Sequence, residues 1–342
     1  MTDFTNKVFY KSSDNMEELP DGSINLIVTS PPYFNIKDYS KDGHQNKSIS
    51  DKKIGQIGDI DNYKDFIDMM LPIWKECFRV LVPNGKLIIN TPLMPMIKSD
   101  FSTHYNRDIF NINSDIEHSI LSNIPCSNLM DLYIWNRVNS TKNLMFGSYP
   151  HPSNFYAQNT SEFICVYVKS GDPLKVDKNI KDKSKLTQQQ WVEYTKQIWD
   201  IKIPGKNDFA FGEHSAIMPE EIVRRCIRLY SFYGDIVLDP FTGSGTTLKV
   251  ALEEDRNYVG YELSEEYKTI IEEKINNAEN DKFVWEDFAM TEKTLLSEEK
   301  KHSVNDEGEL EVFNFSTVEK CLENHHDKKD ERLIIKGKES EN

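Results

Sequence analysis

Several features that would assign this sequence to a familiar class are scarce or missing. The five cysteines include no Cys-x-x-Cys pair, so the sequence predicts neither a disulfide framework nor a metal site. With 15 glycines and 14 prolines among 342 residues, the chain is neither collagen-like nor of low complexity. No apolar run approaches the roughly 20 residues that span a bilayer, and we therefore expect no membrane span.

A surplus of positive charge is also missing. The chain carries 41 Lys and Arg residues against 56 Asp and Glu residues, a net charge of −15. No global positive field draws it to a polyanion, so any contact with nucleic acid must use a local basic surface. Residues 1–10 lack a basic leader followed by an apolar stretch, which predicts no export signal and a cytoplasmic protein.

What the sequence does contain is an alternation of short apolar strands and longer helical stretches, which predicts an α/β fold. The clearest helix covers residues 63–80, where apolar side chains recur at helical spacing from Phe66 to Cys77. The remaining predicted elements are strands at residues 24–29, 86–90, 132–135, 163–169, 236–238 and 258–262, and helices at residues 218–230 and 246–254.

Two segments depart from this alternation. Residues 170–213 begin with a Gly-Asp-Pro turn and carry many lysines, which indicates an inserted, variable segment. From about residue 291 the chain is rich in Glu, Lys, Asp and Asn, as is typical of a charged appendage or a partly disordered tail.

A glycine-rich turn follows the strand that ends at Asp239. Gly243 and Gly245 stand where this strand turns into a helix, and they allow a tight turn and a close approach of backbone to a ligand. The free N–H groups of the helix N-terminus favour a carboxylate or a phosphate. Glu262 ends the next strand, as expected of an acceptor for ribose hydroxyls. Leu248 replaces the third glycine of dinucleotide sites, which favours a nucleoside such as S-adenosylmethionine (SAM); a turn that binds nothing is the alternative.

A pair of prolines ends another apolar strand, residues 25–29. The prolines stiffen the loop, and the carbonyl of Pro31, the hydroxyl of Ser30 and the ring of Tyr33 would suit a planar ring that bears an amino group. A simple strand end with a proline turn is the alternative. This alternative becomes less favoured if the proline loop and the glycine-rich turn lie at one sheet edge, because such sheets bind ligands outside the carboxyl ends of their strands.

Taken together, the two motifs resemble the SAM-dependent DNA amino-methyltransferases, in the permuted β arrangement where the Thr-Ser-Pro-Pro-Tyr loop precedes the Asp-Pro-Phe-x-Gly-Ser-Gly-Thr-Thr loop. The resemblance covers about residues 8–290. It extends to residues 81–89, 134–137, 147–152, 161–169 and 213–220. It implies a Rossmann-like class I methyltransferase fold, with a mixed, mostly parallel seven-stranded sheet flanked by helices and an inserted target-recognition region.

The resemblance also implies roles for individual residues. SAM is the implied cofactor, and the loop implied to act on the base consists of Ser30, Pro31, Pro32 and Tyr33. Phe241 and Tyr261 either flank the adenine or belong to the core. The implied cofactor-binding residues are Ser12, which stands where the family usually carries Gly-Asp, together with Asp239, Pro240, Phe241, Thr242, Gly243, Ser244, Gly245, Thr246, Thr247 and Glu262.

Family members with serine before the proline pair resemble the N4-cytosine enzymes, whereas adenine-N6 enzymes mostly carry aspartate. The resemblance thus implies direct methyl transfer to a flipped cytosine in double-stranded DNA. An adenine-N6 or RNA methyltransferase and a non-catalytic SAM- or DNA-binding subunit are the alternatives. Pro125-Cys126 looks like the nucleophile motif of C5-cytosine enzymes, but the motif order of that family is reversed, so we expect Cys126 to be a packing residue.

DNA contact is expected from local charge on or beside the inserted segment. The candidates are Arg137, Lys142, His151, Asn154 and Lys169, with the lysines at 175, 178, 181, 183 and 185. For these lysines a solvated face interleaved with acids is the alternative, and Arg224, Arg225 and Arg228 either bind phosphate or pair with acids.

We therefore divide the chain into a catalytic half (1–169), a target-recognition insertion (170–213), a SAM-binding half (214–290) and a charged appendage (291–342). Family habit suggests a cognate restriction endonuclease as a partner, and a monomer or homodimer.

Overall fold

The computed structural model describes residues 4–32, 62–97, 107–140, 150–152, 157, 159–204 and 218–278. The chain divides into two units, Met1–Lys282 and Phe283–Asn342, and every described residue belongs to the first. The predicted appendage from residue 291 onward lies outside the described residues.

Ten strands and seven helices make up the described part of the chain. The strands are β1 (Lys7–Phe9), β2 (Ile24–Thr29), β3 (Leu81–Pro92), β4 (Met94–Ile97), β5 (Arg107–Phe110), β6 (Ser127–Arg137), β7 (Ser161–Lys169), β8 (Ile198–Ile201), β9 (Ile236–Asp239) and β10 (Asn257–Tyr261). The helices are α1 (Tyr63–Val80), α2 (Ile112–Asn123), α3 (Lys178–Lys183), α4 (Gln188–Tyr194), α5 (Glu220–Tyr230), α6 (Thr246–Glu253) and α7 (residues 268–278).

Eight of these strands form one sheet in the order β1-β10-β9-β2-β3-β7-β6-β8, and β4 pairs with β5 separately. Only β7 runs antiparallel to its neighbours, β3 and β6; the other pairs in the sheet are parallel. The sheet is thus mixed and mostly parallel, as predicted.

The predicted count of seven strands is wrong, because the described residues contribute eight to this sheet. Two of the eight, β1 and β8, were not among the strands predicted from the sequence. Strand β8 lies within the segment read as an insertion and pairs in parallel with β6. Its residues alternate between exposed and buried, so Trp199 and Ile201 face the core while Ile198 stays exposed. Trp199 stacks on Tyr133 of β6 with ring centroids 4.6 Å apart. Part of the inserted segment is therefore built into the sheet.

Helices cover both faces of the sheet, which explains why β2 and β3 read as nearly continuous apolar runs. One face packs against α1 and α2, and the other against α5 and α6. Helix α1 begins at the predicted residue because the side chain of Asn62 accepts hydrogen bonds from the Lys64 and Asp65 N–H groups. Helix α2 was not predicted, although Ile112, Ile116 and Ile120 are buried on one face at a spacing of four.

The described part of the chain contains no helix long and apolar enough to span a bilayer.

Candidate active site

The two predicted loops start from adjacent strands at the same edge of the sheet. Strands β2 and β9 are parallel neighbours, with Ile27 paired to Leu238. Beyond this pair, Thr29 Oγ1 donates a hydrogen bond to Asp239 Oδ1 over 2.7 Å, and both residues are buried. One hydrogen bond therefore ties the start of the proline loop to the start of the glycine-rich turn.

Asp239 is a fully buried carboxylate. Burial raises its pKa from 3.8 to about 6, although the side chains of Thr29 and Thr247 and the N–H of Phe241 donate hydrogen bonds that oppose the shift. A carboxylate in such a place is stabilised by a nearby cation. The site thus fits a ligand that brings positive charge to Asp239, as the ammonium and sulfonium groups of SAM would.

The glycine-rich turn adopts backbone conformations that side chains rarely tolerate. Gly243 has φ +52° and Gly245 has φ +86°. Gly245 is also the N-cap of α6 and packs against Ile271 of α7, whose atoms would lie 3.4 Å from an added Cβ. Both predicted glycines therefore have a conformational reason to be glycine.

Glu262 holds the turn from the end of β10. Its Oε2 accepts from the Gly243 N–H and its Oε1 from the Ser264 N–H, each over 2.8 Å. Burial raises the pKa of this carboxyl. A carboxylate offers about four lone-pair positions, so these two bonds leave acceptor capacity for the predicted ribose hydroxyls.

Two further side chains support the turn and were missed by the sequence analysis. Lys274 of α7 is buried, and its Nζ lies 3.0 Å from Ser244 Oγ and 3.1 Å from Thr246 Oγ1. Ser13 donates from its buried hydroxyl to the Pro240 carbonyl over 2.9 Å. The signal for Ser13 was its position beside Ser12, where the family usually carries Gly-Asp. Lys274 gave no signal in the sequence, because a single lysine on a helix is normally exposed.

The residues predicted near the adenine differ in burial. Tyr261 is fully buried, stacks on Phe9 at 5.1 Å, and donates from its hydroxyl to Glu18 over 3.0 Å. Phe241 is half-buried and meets Trp74 edge-on at 5.9 Å. Ser12 is half-buried, with its Oγ accepting from the Asp14 N–H. Tyr261 was expected either to flank the adenine or to belong to the core, and its burial supports the role in the core.

At the proline loop, Ser30 Oγ donates to the backbone carbonyl of Asn90 over 3.2 Å. Pro31 is buried and Pro32 half-buried, while the predicted Tyr33 lies outside the described residues. Asn90 is itself buried, and its Nδ2 donates to Glu162 Oε2 over 2.7 Å. The serine thus rests on β3, the strand next to its own.

The predicted DNA contacts are scattered. Arg137 ends β6 at the site edge, where its Nη1 pairs with Glu162 Oε1 at 3.3 Å. Lys169 lies at the far end of β7 and donates to the Leu81 carbonyl over 2.6 Å, so the structure does not bring it to the site. His151 is exposed, and Lys142 and Asn154 lie outside the described residues. Contacts of these side chains with DNA remain predictions.

The other basic groups divide into paired and exposed. Arg224 pairs with Glu253 and Glu254 at 2.9 and 2.8 Å, and Arg228 pairs with Glu254 at 2.5 Å; pairing with acids was one of the two readings. The inserted segment differs, because its lysines at 175, 178, 181, 183 and 185 are all exposed, although Lys185 also pairs with Asp182 at 2.6 Å. No group of three or more potential metal ligands occurs among the residues that the structure describes.

Comparison with known proteins agrees with this geometry. Residues 24–273 match a family of N6/N4 methyltransferases described as DNA methylases. The chain belongs to this DNA methylase family. The match spans both loops and the strands that carry them.

Relatives share most of their length with this methylase. The type II methyltransferase M.MjaI of Methanocaldococcus jannaschii is 32% identical over 290 residues, which cover 79% of this chain and 90% of the relative. M.MthZI of Methanothermobacter thermautotrophicus is 29% identical, over 80% and 77% of the two chains.

Solved structures share the fold. TTHA0409 of Thermus thermophilus, a candidate DNA modification methylase solved with SAM, has a TM-score of 0.60 and 27% identity, covering 80% of this chain and 94% of its own. The cytosine-N4-specific PvuII methyltransferase has a TM-score of 0.56, over 81% and 92% of the chains, and at 18% identity shows the fold alone.

Proposed function

We propose that this DNA methylase transfers the methyl group of SAM to the exocyclic N4 amine of cytosine in double-stranded DNA. The observation that carries the proposal is the placement of Ser30. It follows directly on Thr29, whose hydroxyl binds Asp239 at the cofactor turn over 2.7 Å. A base amine bound at the serine would thus lie beside the cofactor.

The hydrogen bond that Ser30 donates leaves its hydroxyl oxygen to act as an acceptor, which is what the N–H groups of an amine require. A serine hydroxyl has one proton and two lone pairs, and this one donates its proton to the Asn90 carbonyl. It therefore meets other groups with its lone pairs, as an acceptor. An amine conjugated with a base ring is a weak nucleophile. Acceptors at Ser30 and at the Pro31 carbonyl would localise its lone pair and direct it at the methyl group.

The glycine-rich turn is proposed to hold the cofactor, with Asp239 at the methionine end and Glu262 at the ribose. When bound, SAM supplies a methyl group on a positively charged sulfur, which makes that methyl electrophilic. The amine of a paired base is shielded within the duplex. We therefore propose that the base is flipped out of the stack, at a cost of a few kcal/mol, and that Tyr33 stacks on it.

Two extensions follow from the comparisons. Relatives such as M.MjaI are named as type II methyltransferases, which supports a role in a restriction-modification system with a cognate endonuclease. Adenine N6 is the alternative target, because it is also an amine conjugated with a ring and the family includes both specificities.

The experiment is to incubate the purified protein with SAM and mixed-sequence duplex DNA, digest the DNA, and identify the methylated nucleoside by mass spectrometry. We expect N4-methylcytosine. N6-methyladenine would leave the fold and the transfer chemistry standing but overturn the assignment of the base. The absence of any methylated nucleoside, with SAM bound in a calorimetric control, would favour an RNA substrate or a non-catalytic subunit.

The serine itself is tested by Ser30→Ala. We expect methyl transfer to fall about 100-fold, in the range seen when one stabilising hydrogen-bonding group is removed from a transition state. The dissociation constant of SAM should change less than about twofold. Equal loss of cofactor binding and transfer would show that Ser30 supports the turn rather than the amine.

A further inference from the structure

A buried polar network lies behind Ser30 and crosses three strands. Asn90 of β3 donates to Glu162 of β7 over 2.7 Å, and Glu162 pairs with Arg137 of β6 at 3.3 Å. Asn90 and Glu162 are 3% and 5% exposed. Ser30 joins this network through its hydrogen bond to the Asn90 carbonyl. The network is the support on which the serine hydroxyl is oriented.

The sheet register explains how these distant residues meet. Strand β7 runs antiparallel between β3 and β6, so Glu162 at its start pairs with Pro92 near the end of β3 and with Trp135 near the end of β6. Arg137 is held in turn by hydrogen bonds to the carbonyls of Asn159 and Thr160. The network therefore lies at the carboxyl ends of the parallel strands, the same end of the sheet as the proline loop and the glycine-rich turn.

The energetics of the network favour a role in function over one in stability. A buried ion pair seldom stabilises a fold more than apolar side chains of similar volume would. This network is also incompletely satisfied, because Asn90 Oδ1 and Arg137 Nε are buried without a hydrogen-bond partner within the described ranges. Partly satisfied buried networks are costly. Such a cost is expected at a site where polar groups must be held in one orientation.

We propose that Asn90, Glu162 and Arg137 are positioning residues that hold the Ser30 hydroxyl as an acceptor toward the target amine. The proposal rests on the proposed function of Ser30. Glu162 holds the side chain of Asn90 and with it this end of β3, where the Asn90 carbonyl accepts from Ser30, and Arg137 holds Glu162. That carbonyl takes the serine proton and favours the hydroxyl orientation in which the serine oxygen acts as an acceptor.

The test is to measure the effect of each network variant with and without Ser30. Asn90→Ala and Glu162→Ala are made in the wild-type chain and in Ser30→Ala, and single-turnover methyl transfer to duplex DNA is measured beside the dissociation constant of SAM. We expect each to slow transfer about tenfold in the wild-type chain with cofactor affinity unchanged. Neither should slow it further in Ser30→Ala, because the group through which the network acts is then missing.

Conservative and control variants separate positioning from folding. Glu162→Gln retains an oxygen that accepts from Asn90, so we expect it to recover most of the transfer rate. Glu76→Ala breaks another partly buried ion pair, the one with Arg79 at 2.8 Å on α1, and should lower the melting temperature without the tenfold loss. If Glu162→Ala does not fold, Asn90→Ala carries the same comparison.

Two results would overturn the proposal in distinguishable ways. The same proportional loss in both backgrounds, or a loss that follows SAM affinity, would show that the network supports the fold alone, with the role of Ser30 unaffected. Full activity in Ser30→Ala by itself would instead overturn the proposed role of the serine, and the positioning role with it.

Discussion

The glycine-rich turn and the inserted segment present polar groups in opposite ways. At the turn, the side chains of Asp239, Ser244 and Thr246 are at most 5% exposed, and each has a hydrogen-bond partner within the fold. In the segment, the lysines lie on the short helix α3 and in the loops beside it, where they are exposed to solvent. The first arrangement suits one small ligand in one pose, and the second suits a polyanion met by many weak contacts.

The difference has an energetic consequence. Groups fixed in a desolvated turn act together, so that one altered backbone angle affects every contact with the ligand. Exposed charges act separately and are screened by salt within about 10 Å at 0.1 M ionic strength. Substitutions should therefore have large, salt-independent effects at the turn and small, salt-dependent ones in the segment.

The largest effect is expected from Gly243→Val. A β-branched residue at φ +52° is strongly disfavoured, and the turn would have to move away from Glu262, which accepts the Gly243 N–H. We expect SAM affinity, measured by calorimetry, to fall more than about 100-fold. Gly243→Asn is the matched control because asparagine tolerates this region, and it should retain more of the affinity. Equal losses in both variants would show that any side chain, rather than the backbone angle, blocks the site.

A smaller effect is expected from pH. The pKa of Asp239 is raised from 3.8 to about 6, so folding of the ligand-free chain favours the protonated form. The resulting stability is complete below pH 3.8 and is lost as pH rises through 6. A cationic ligand favours the ionised form instead. The dissociation constant of SAM should therefore rise as pH falls below 6, by up to about tenfold per pH unit.

Variants assign this pH dependence. Asp239→Asn should abolish it and weaken binding at pH 7, while raising the melting temperature of the ligand-free protein at that pH. Burial also raises the pKa of Glu262, so Glu262→Gln is the comparison. If Glu262→Gln removes the dependence and Asp239→Asn does not, the cation binds at the other carboxylate.

How far the sequence predicted this molecule depends on whether a feature is contiguous. Helix α1 and the glycine-rich turn are each determined by a run of consecutive residues, and the structure has a helix and a tight turn there. Both loops do lie at one sheet edge, where Thr29 bonds to Asp239, and this was the condition under which a simple proline turn became the weaker interpretation. Strand β8 was missed because four residues in a lysine-rich segment carry little periodicity.

The supporting residues could not be predicted, because they become neighbours only through the sheet. Asn90 and Glu162 are 72 residues apart and meet through the register of β3 and β7. Lys274 reaches the glycine-rich turn across 30 residues. Each is a single polar residue in an ordinary local pattern. Arg137, predicted as a DNA contact, shows the limit of such patterns, since its ion pair with Glu162 depends on the same register.

The smallest effects are expected where the inserted segment presents its lysines. Lys175, Lys178 and Lys181 are exposed, and if they face DNA phosphates, each alanine substitution should weaken DNA binding by roughly twofold to fivefold at low salt. The slope of log affinity against log salt should fall by about 0.9 for each phosphate that the protein no longer neutralises. Binding would be followed by fluorescence anisotropy with a labelled duplex.

The control for this series lies in the same segment. Lys185 is paired with Asp182 at 2.6 Å, so its charge is partly neutralised, and Lys185→Ala should change the affinity and the salt slope less than the other three. SAM affinity should stay constant in all four variants, because none of these residues contacts the glycine-rich turn. An unchanged salt slope in the combined Lys175, Lys178 and Lys181 variant would mean that this surface is a solvated face. Target recognition would then have to lie elsewhere in the chain, because a surface that releases no counterions from DNA does not contact its phosphates.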